Sequence, residues 1–190
     1  MSAGKMVVIF FVVLGIAALA VGGCAYGGYR HTIALDEAVK SNWADVEVVL
    51  QRRFDLIPNV VETVKGYATH EKEVLQGIAD VRKSYTGAAT VADKAKAAGE
   101  LDGYLARLLV ISENYPQLRA SENFHALQVE LEGSENRIKE KRLGYNAAVK
   151  GLNSYIRAFP GSTYAKWAGV QPGVYFEAGA GAKEAPKVKF

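Results

Sequence analysis

The sequence predicts an all-α protein in which an N-terminal transmembrane helix leads into an up-and-down four-helix bundle. Three observations point there. An uncharged, mostly apolar run extends from Met6 to Tyr26, apolar residues recur at steps of seven through most of the remaining chain, and the helical pattern is punctuated at Pro58, Gly87 and Pro116. The length of 190 residues fits one domain of ordinary size plus appendages.

The run Met6–Tyr26 holds 21 residues, interrupted in its hydrophobicity only by glycines. At about 1.5 Å per residue such a helix spans roughly 32 Å, the thickness of a bilayer's hydrocarbon core. Backbone groups in lipid must be satisfied within the segment, so a helix is the expected form. Cys24 adds a second reading, because Val21-Gly-Gly-Cys24 at the end of an apolar run is similar to a lipobox, in which the cysteine is lipidated and becomes the new N-terminus. The match is incomplete, with Val21 where leucine is usual and Lys5 as the only charge in the leading segment. A secretory apolar region is also usually shorter than this one. Flanking charges do not set the orientation, since Lys5 and the α-amino group face Arg30 and Lys40 across the span.

Beyond Arg30, one heptad line reads Trp43, Leu50, Ile57, Val64, and its companion reads Val39, Val46, Arg53, Val60. Proline disrupts a helix interior but suits a first turn, and Asn59 followed by Glu62 has the spacing of a capping box. A helix boundary is therefore predicted at residues 56–59, with a second helix running to Tyr85. The unbroken heptad phase across Pro58 points instead to a kinked continuous helix. A loop over 86–90 precedes a third helix from Val91 to Pro116, and Ser121 is the expected N-cap of a fourth. That last helix has the cleanest period, with Phe124, Leu131, Ile138, Tyr145, Leu152 and Phe159 at steps of seven, and Pro160-Gly161 should end it. Four segments of comparable length joined by short loops suit an up-and-down bundle. An even number of helices returns Phe159–Phe176, with Tyr164 and Trp167, towards the lipid headgroups, where such aromatics are favoured; a kink at Pro58 instead places the segment at the far end. The predicted organisation is an anchor over residues 1–29, a helical domain over 30–160, an aromatic segment over 161–178 and a flexible tail over 179–190.

Charge narrows the function. The formal net charge is +3, of which Lys5 accounts for one and the segment from Lys183 for two, so residues 6–182 are neutral. A nucleic-acid binder needs a basic face, and none is expected here. His70-Glu71 begins like a zinc-protease motif, but Val74 stands where the second histidine is required. A di-iron bundle needs Glu-x-x-His pairs on two helices, which the scattered His31, His70 and His125 do not supply. Neither a nucleophile elbow nor a phosphate-binding glycine loop occurs. No catalytic residue, metal site or cofactor is therefore assigned.

The stretch Gln51–Tyr67, Q-R-R-F-D-L-I-P-N-V-V-E-T-V-K-G-Y, combines a charged pair, a proline and an apolar helical stripe. With Trp43-Ala-Asp, Leu131-Glu-Gly-Ser-Glu-Asn-Arg-Ile138, Tyr145-Asn, Ile156-Arg-Ala-Phe-Pro160 and Tyr175-Phe-Glu-Ala178, it resembles the LemA family, a family related to MamQ. The resemblance covers about residues 34–178 and marks Arg52, Asp55, Pro58 and Asn59 as family-motif positions. It implies a membrane-anchored helical bundle of bromodomain-like handedness, with no established reaction. Some LemA-like proteins begin with a lipobox. For the others the usual inference is a short N-terminus outside and the domain in the cytoplasm.

Arg53 falls on an apolar seam, and the companion line of the fourth helix reads Gln128, Glu135, Arg142, Val149, Ile156. A buried arginine requires a partner. A structural polar core of Arg53, Glu135 and Arg142 is expected, with Arg53 or Arg52 paired to Glu135, Glu132 or Asp55. The alternative is a bundle-core site for an ion or acidic ligand, the location a hydrolase or metal-dependent enzyme would use. Asn146 and Asn153 lie on one helical face, where they either specify register or are solvated. Tyr164, Trp167, Tyr175 and Phe176 form either a cap over the core or a membrane-interface cluster. The functional expectation is a scaffold or interaction protein of the cell membrane, single-pass and self-assembling, whose partners are the lipid bilayer, further copies of itself and unidentified proteins. The alternative is a surface lipoprotein, held through Cys24, that binds a soluble partner.

Overall fold

The computed structural model describes residues 3–68 and 70–177. Its elements are α1 (Ala3–Asp55), α2 (Ile57–Lys65), α3 (Lys72–Gly87), α4 (Val91–Ser112), α5 (Pro116–Arg119), α6 (Glu122–Arg157) and α7 (Gly161–Ala168), with no strand among the described residues. The protein is all-helical and begins with a long apolar helix. The tail expected over 179–190 lies outside the described residues.

The apolar side chains of α1 from Val7 to Val21 are exposed, and its most apolar 18-residue window has no buried residue. By length and composition this stretch is able to cross a membrane. Helix α1 passes unbroken through residue 29, after which the helical domain is expected to begin. The Thr32 hydroxyl donates to the Gly28 carbonyl at 2.9 Å within that same helix.

The chain divides into two compact units. The first combines the described residues up to Ser41 with Ala147–Gly173. Its core is Leu152 and Ile156 of α6 and Ala165 of α7, with Leu35 and Val39 of α1 packed against them. The Tyr155 hydroxyl donates to the Gly28 carbonyl at 3.3 Å, and the His31 ring meets Tyr155 edge-on. Helix α7 is a finding of the structure, since the sequence pattern predicts no helix after Pro160-Gly161. It ends on Gly169 at φ 68°, where the N–H groups of Gly169 and Val170 bond back to the carbonyls of Lys166 and Ala165. That is the Schellman arrangement glycine favours. At its start, Gly161 packs so close to the Tyr155 carbonyl that a Cβ would collide with it.

The second unit comprises Asn42–Asn146 and the segment from Val174. The heptad positions Val46, Leu50, Phe54, Ile57, Val60 and Val64 are buried, facing a core to which Ile78, Leu101, Leu105, Ile138 and Tyr145 contribute. Ion pairs fix the helix directions. Asp45 meets Lys141 at 2.8 Å and Arg52 meets Glu130 at 3.0 Å, so α1 and α6 are antiparallel; Glu47 pairs with Lys94 and Arg53 with Asp102, so α1 and α4 are parallel. Helix α4 starts on the Thr90 side chain, which accepts from the Asp93 N–H at 3.1 Å.

The helix boundary expected at residues 56–59 is present at Leu56, but the second helix ends at Lys65 instead of running to Tyr85. Only Leu56 interrupts the helix, its N–H reaching Arg53 O at 3.2 Å while Val60 N–H reaches Leu56 O at 3.1 Å. Pro58 occupies the first turn of α2, where its missing N–H is not needed. Asn59 lies inside that turn, and α2 begins without a side-chain cap, so the capping box is not formed. The chain reverses later, between α2 and α3. The Phe54 ring stacks on Tyr85 near the end of α3, with centroids 4.0 Å apart, so α3 runs back along the end of α1. This second interruption, between Lys65 and Lys72, is not part of the sequence-based choice between a break and a kink. A further departure is Phe159, which falls beyond the end of α6 and is 85% exposed despite its heptad position.

Candidate functional site

Arg53 is the charged residue that the fold buries most completely among those singled out by the heptad reading, at 4% exposure. Leu50, Phe54 and Ile57 flank it on the same buried stripe, so helical phase alone turns it inward. Its partner is Asp102 of α4, with Nη1 to Oδ1 at 2.7 Å, rather than a carboxylate of α6 or Asp55. Asp102 sits four residues after buried Ala98 and three before buried Leu105, on the edge of the α4 core face. That spacing was the available signal, but nothing in it selects α4 over α6 as the neighbour of Arg53. Burial raises the Asp102 carboxyl, and although Arg53 and Arg142 draw it down while Glu135 pushes it up, the net displacement is upward from the ordinary carboxylate value.

The pair lines a cleft of about 220 Å³. Gln128, Glu132 and Glu135 of α6 continue the polar wall, while Leu105, Leu108, Phe124, Leu127 and Leu131 supply much of the apolar one. Glu132 and Glu135 are exposed. Arg53 Nε is buried and has no hydrogen-bond partner. The remaining residue of the expected polar core, Arg142, is half-buried and lies over the Phe176 ring at 5.8 Å. Of the other motif positions, Arg52 bridges to Glu130 on the exposed face, and Asp55 accepts from Gln51 Nε2 at 2.8 Å. The described residues contain no cluster of three or more His, Cys, Asp or Glu arranged to hold a metal ion.

Both asparagines left open by the sequence bind backbone. In the second unit, Asn146 Nδ2 donates to Phe176 O at 3.0 Å and its Oδ1 accepts from Phe176 N–H at 2.9 Å. In the first, Asn153 makes the same pair of hydrogen bonds with Gly173, donating from Nδ2 to Gly173 O at 2.9 Å and accepting from Gly173 N–H at 2.8 Å. Tyr145 adds a bond from its hydroxyl to Val174 O at 2.7 Å. Phe176 is therefore a buried core residue, packed with Trp43, and not a member of an interfacial cluster. Tyr164 and Trp167 are placed differently. In the first unit they line a shallow groove with Val21 and Cys24 of α1 and with exposed Phe159. Cys24 is itself exposed within α1.

A model of the LemA family matches residues 42–190, which takes in the Arg53 cleft and both asparagine clamps. The magnetosome proteins MamQ 1 and MamQ 2 of Paramagnetospirillum magneticum are each 23% identical to this chain, over 78% of it and 64% of their own length. MamQ of Magnetospirillum gryphiswaldense is 24% identical with the same coverage, so the chain spans just under two thirds of the length of these curated relatives. Taken with a match over most of the chain, the motif around Arg53 and its placement on an all-helical fold identify the protein as a member of the LemA family.

Proposed function

We propose that this protein is a single-pass, cell-membrane scaffold or interaction module that self-associates, with α1 and α2 together, α3, α4 and α6 forming an up-and-down four-helix bundle of bromodomain-like handedness. The observation that carries the membrane reading is the apolar stretch of α1, exposed throughout and continued without a pause into the amphipathic part of the same helix. A water-soluble domain gains nothing from so many exposed large apolar side chains, whereas lipid removes them from water. Exposed Phe159 and Trp167, beside Val21 and Cys24, support a second contact with the bilayer at its headgroups, where Tyr164 also fits. Membership of the LemA family favours binding over a reaction.

Reconstitution tests the reading in two measurements. Headgroup-labelled lipid should quench Trp167 when Trp43 is replaced by Phe, and the detergent-extracted protein should form a homogeneous particle of several chains by light scattering. An unquenched Trp167 would remove the interfacial contact, and a monodisperse single chain would remove self-association. Mass spectrometry finding a lipidated N-terminal Cys24 would replace the single-pass anchor with the lipoprotein form.

A further inference from the structure

We propose that the first unit binds an anionic phospholipid, whose acyl chain lies in the groove between α1 and α7 and whose phosphate is drawn by Arg30, Arg157 and Lys166. The inference rests on the reading of α1 as a membrane anchor and names the class of lipid. Val21 and Ala25 of α1 form one wall of the groove, and Phe159, Tyr164 and Trp167 form the other. Val21 belongs to the uncharged apolar run and is exposed, so the groove continues the surface that lipid surrounds. Helix α7 lies close there because Gly28 has no side chain; a Cβ at that position would collide with the Tyr164 ring. Thr163, Tyr164 and Trp167 line the groove at helical spacing while Gly161 and Ala165 are buried, and Lys166, exposed, is the helical neighbour of Thr163.

Charge selects the headgroup. The unit carries six lysines and arginines against two carboxylates, a balance of +4 in a chain whose total is +3. Both carboxylates, Asp36 and Glu37, meet Lys40, at 2.7 and 3.1 Å, and neither residues 1–35 nor residues 147–173 contain another. The three exposed cations sit beside the groove's own segments. Arg30 lies over the Tyr26 ring at 5.9 Å, just past the apolar run; Arg157 ends α6 two residues before Phe159, and Lys166 adjoins Trp167. Clustered cations at a membrane surface attract anionic lipids, whereas a zwitterionic lipid brings an ammonium group against them. An acidic protein partner would match the charge but not the adjoining apolar run, which lipid covers. Lys150 supplies an internal control. It stands two turns before Arg157 on the same face of α6, and because Tyr155 meets Gly28 and α6 runs antiparallel to α1, it is about 10 Å farther from the apolar run.

The test uses the full chain with Trp43→Phe, which leaves Trp167 as the single tryptophan, in phosphatidylcholine vesicles. A small fraction of phosphatidylglycerol or of phosphatidylcholine, each carrying the same 5-doxyl acyl chain, serves as quencher. At low ionic strength the phosphatidylglycerol should quench Trp167 at least about threefold more strongly. The ratio should fall towards one near 1 M salt, where the screening length is about 3 Å. Combining Arg30→Gln, Arg157→Gln and Lys166→Gln should also bring it to about one, whereas Lys150→Gln should keep most of it. Circular dichroism checks the fold of the triple variant, and the salt dependence decides the matter if that variant unfolds. Equal quenching by the two lipids, a preference that salt does not change, or the same loss from Lys150→Gln as from the triple substitution would each overturn the anionic-lipid site. Equal quenching would leave the bilayer contact of Trp167 standing, while no quenching by either lipid would remove both.

Discussion

Residues 7–21 and 46–64 are both helical and rich in valine, isoleucine and leucine, yet the large apolar side chains of the first stretch are exposed and the apolar heptad positions of the second are buried. The difference lies in periodicity. In the first stretch apolar residues cover every side of the helix, which no single protein face can bury; in the second they form a stripe that neighbouring helices cover, with charged residues on the outer face. Amount of hydrophobicity therefore says little about where a helix resides, and its angular distribution says a great deal.

Removing the first stretch is the most severe way to break this comparison. Deleting residues 1–29 should move the protein from the membrane pellet to the supernatant while leaving it helical by circular dichroism. An unfolded product would show that the exposed stretch is part of the core. Leu50→Ala should destabilise this soluble form by about 2–5 kcal/mol in denaturant unfolding, as expected for a fully buried leucine. The matched control, Leu14→Ala in the full chain, should leave the unfolding of the domain unchanged to within about 0.5 kcal/mol.

The ion pair sharpens the comparison, because Arg53 is a charge on the buried stripe. Arg53→Ala should cost about 3 kcal/mol, and Asp102→Ala less, since its side chain is 53% exposed. A double-mutant cycle should return a coupling of about 1–2 kcal/mol, whereas the cycle of Arg53 with Glu135 should return less. Equal coupling to both would mean that the carboxylates share the arginine. The effect expected of Tyr85 is confined to alkaline pH. Burial, followed by the charges of Glu47 and Asp55, raises its hydroxyl to about 12. A raised folded value means that its contribution is complete below the unfolded value, about 10, and is lost as pH rises through the folded one. Wild type should therefore lose about 1.4 kcal/mol more than Tyr85→Phe for each pH unit above 10. Parallel stability curves for the two proteins between pH 9 and 11.5 would contradict the burial of that hydroxyl.

Much of this architecture was legible from local pattern. The seam of Val46, Leu50, Ile57 and Val64, the turn before Val91 and the long α6 each repeat a signal within a few residues. Pro58 was misleading because proline at the start of a helix and proline between helices look alike in sequence, and the true reversal at residues 66–71 has only Gly66 as punctuation. Helix α7 was missed because its eight residues are too few for periodicity to register, although its Gly161 and Gly169 mark both ends.

The sequence by itself determined that the chain is helical, that its first helix is apolar all round, and that Arg53 must face inward, since each follows from residue spacing along one helix. Only the tertiary structure decided that Arg53 meets Asp102, that Asn146 and Asn153 hold the backbone at Phe176 and Gly173, and that one buried guanidinium N–H is left unpaired. Those outcomes depend on which of several chemically equivalent carboxylates and carbonyls comes within 3 Å, and that is set by the packing of distant segments rather than by the pattern within any one of them.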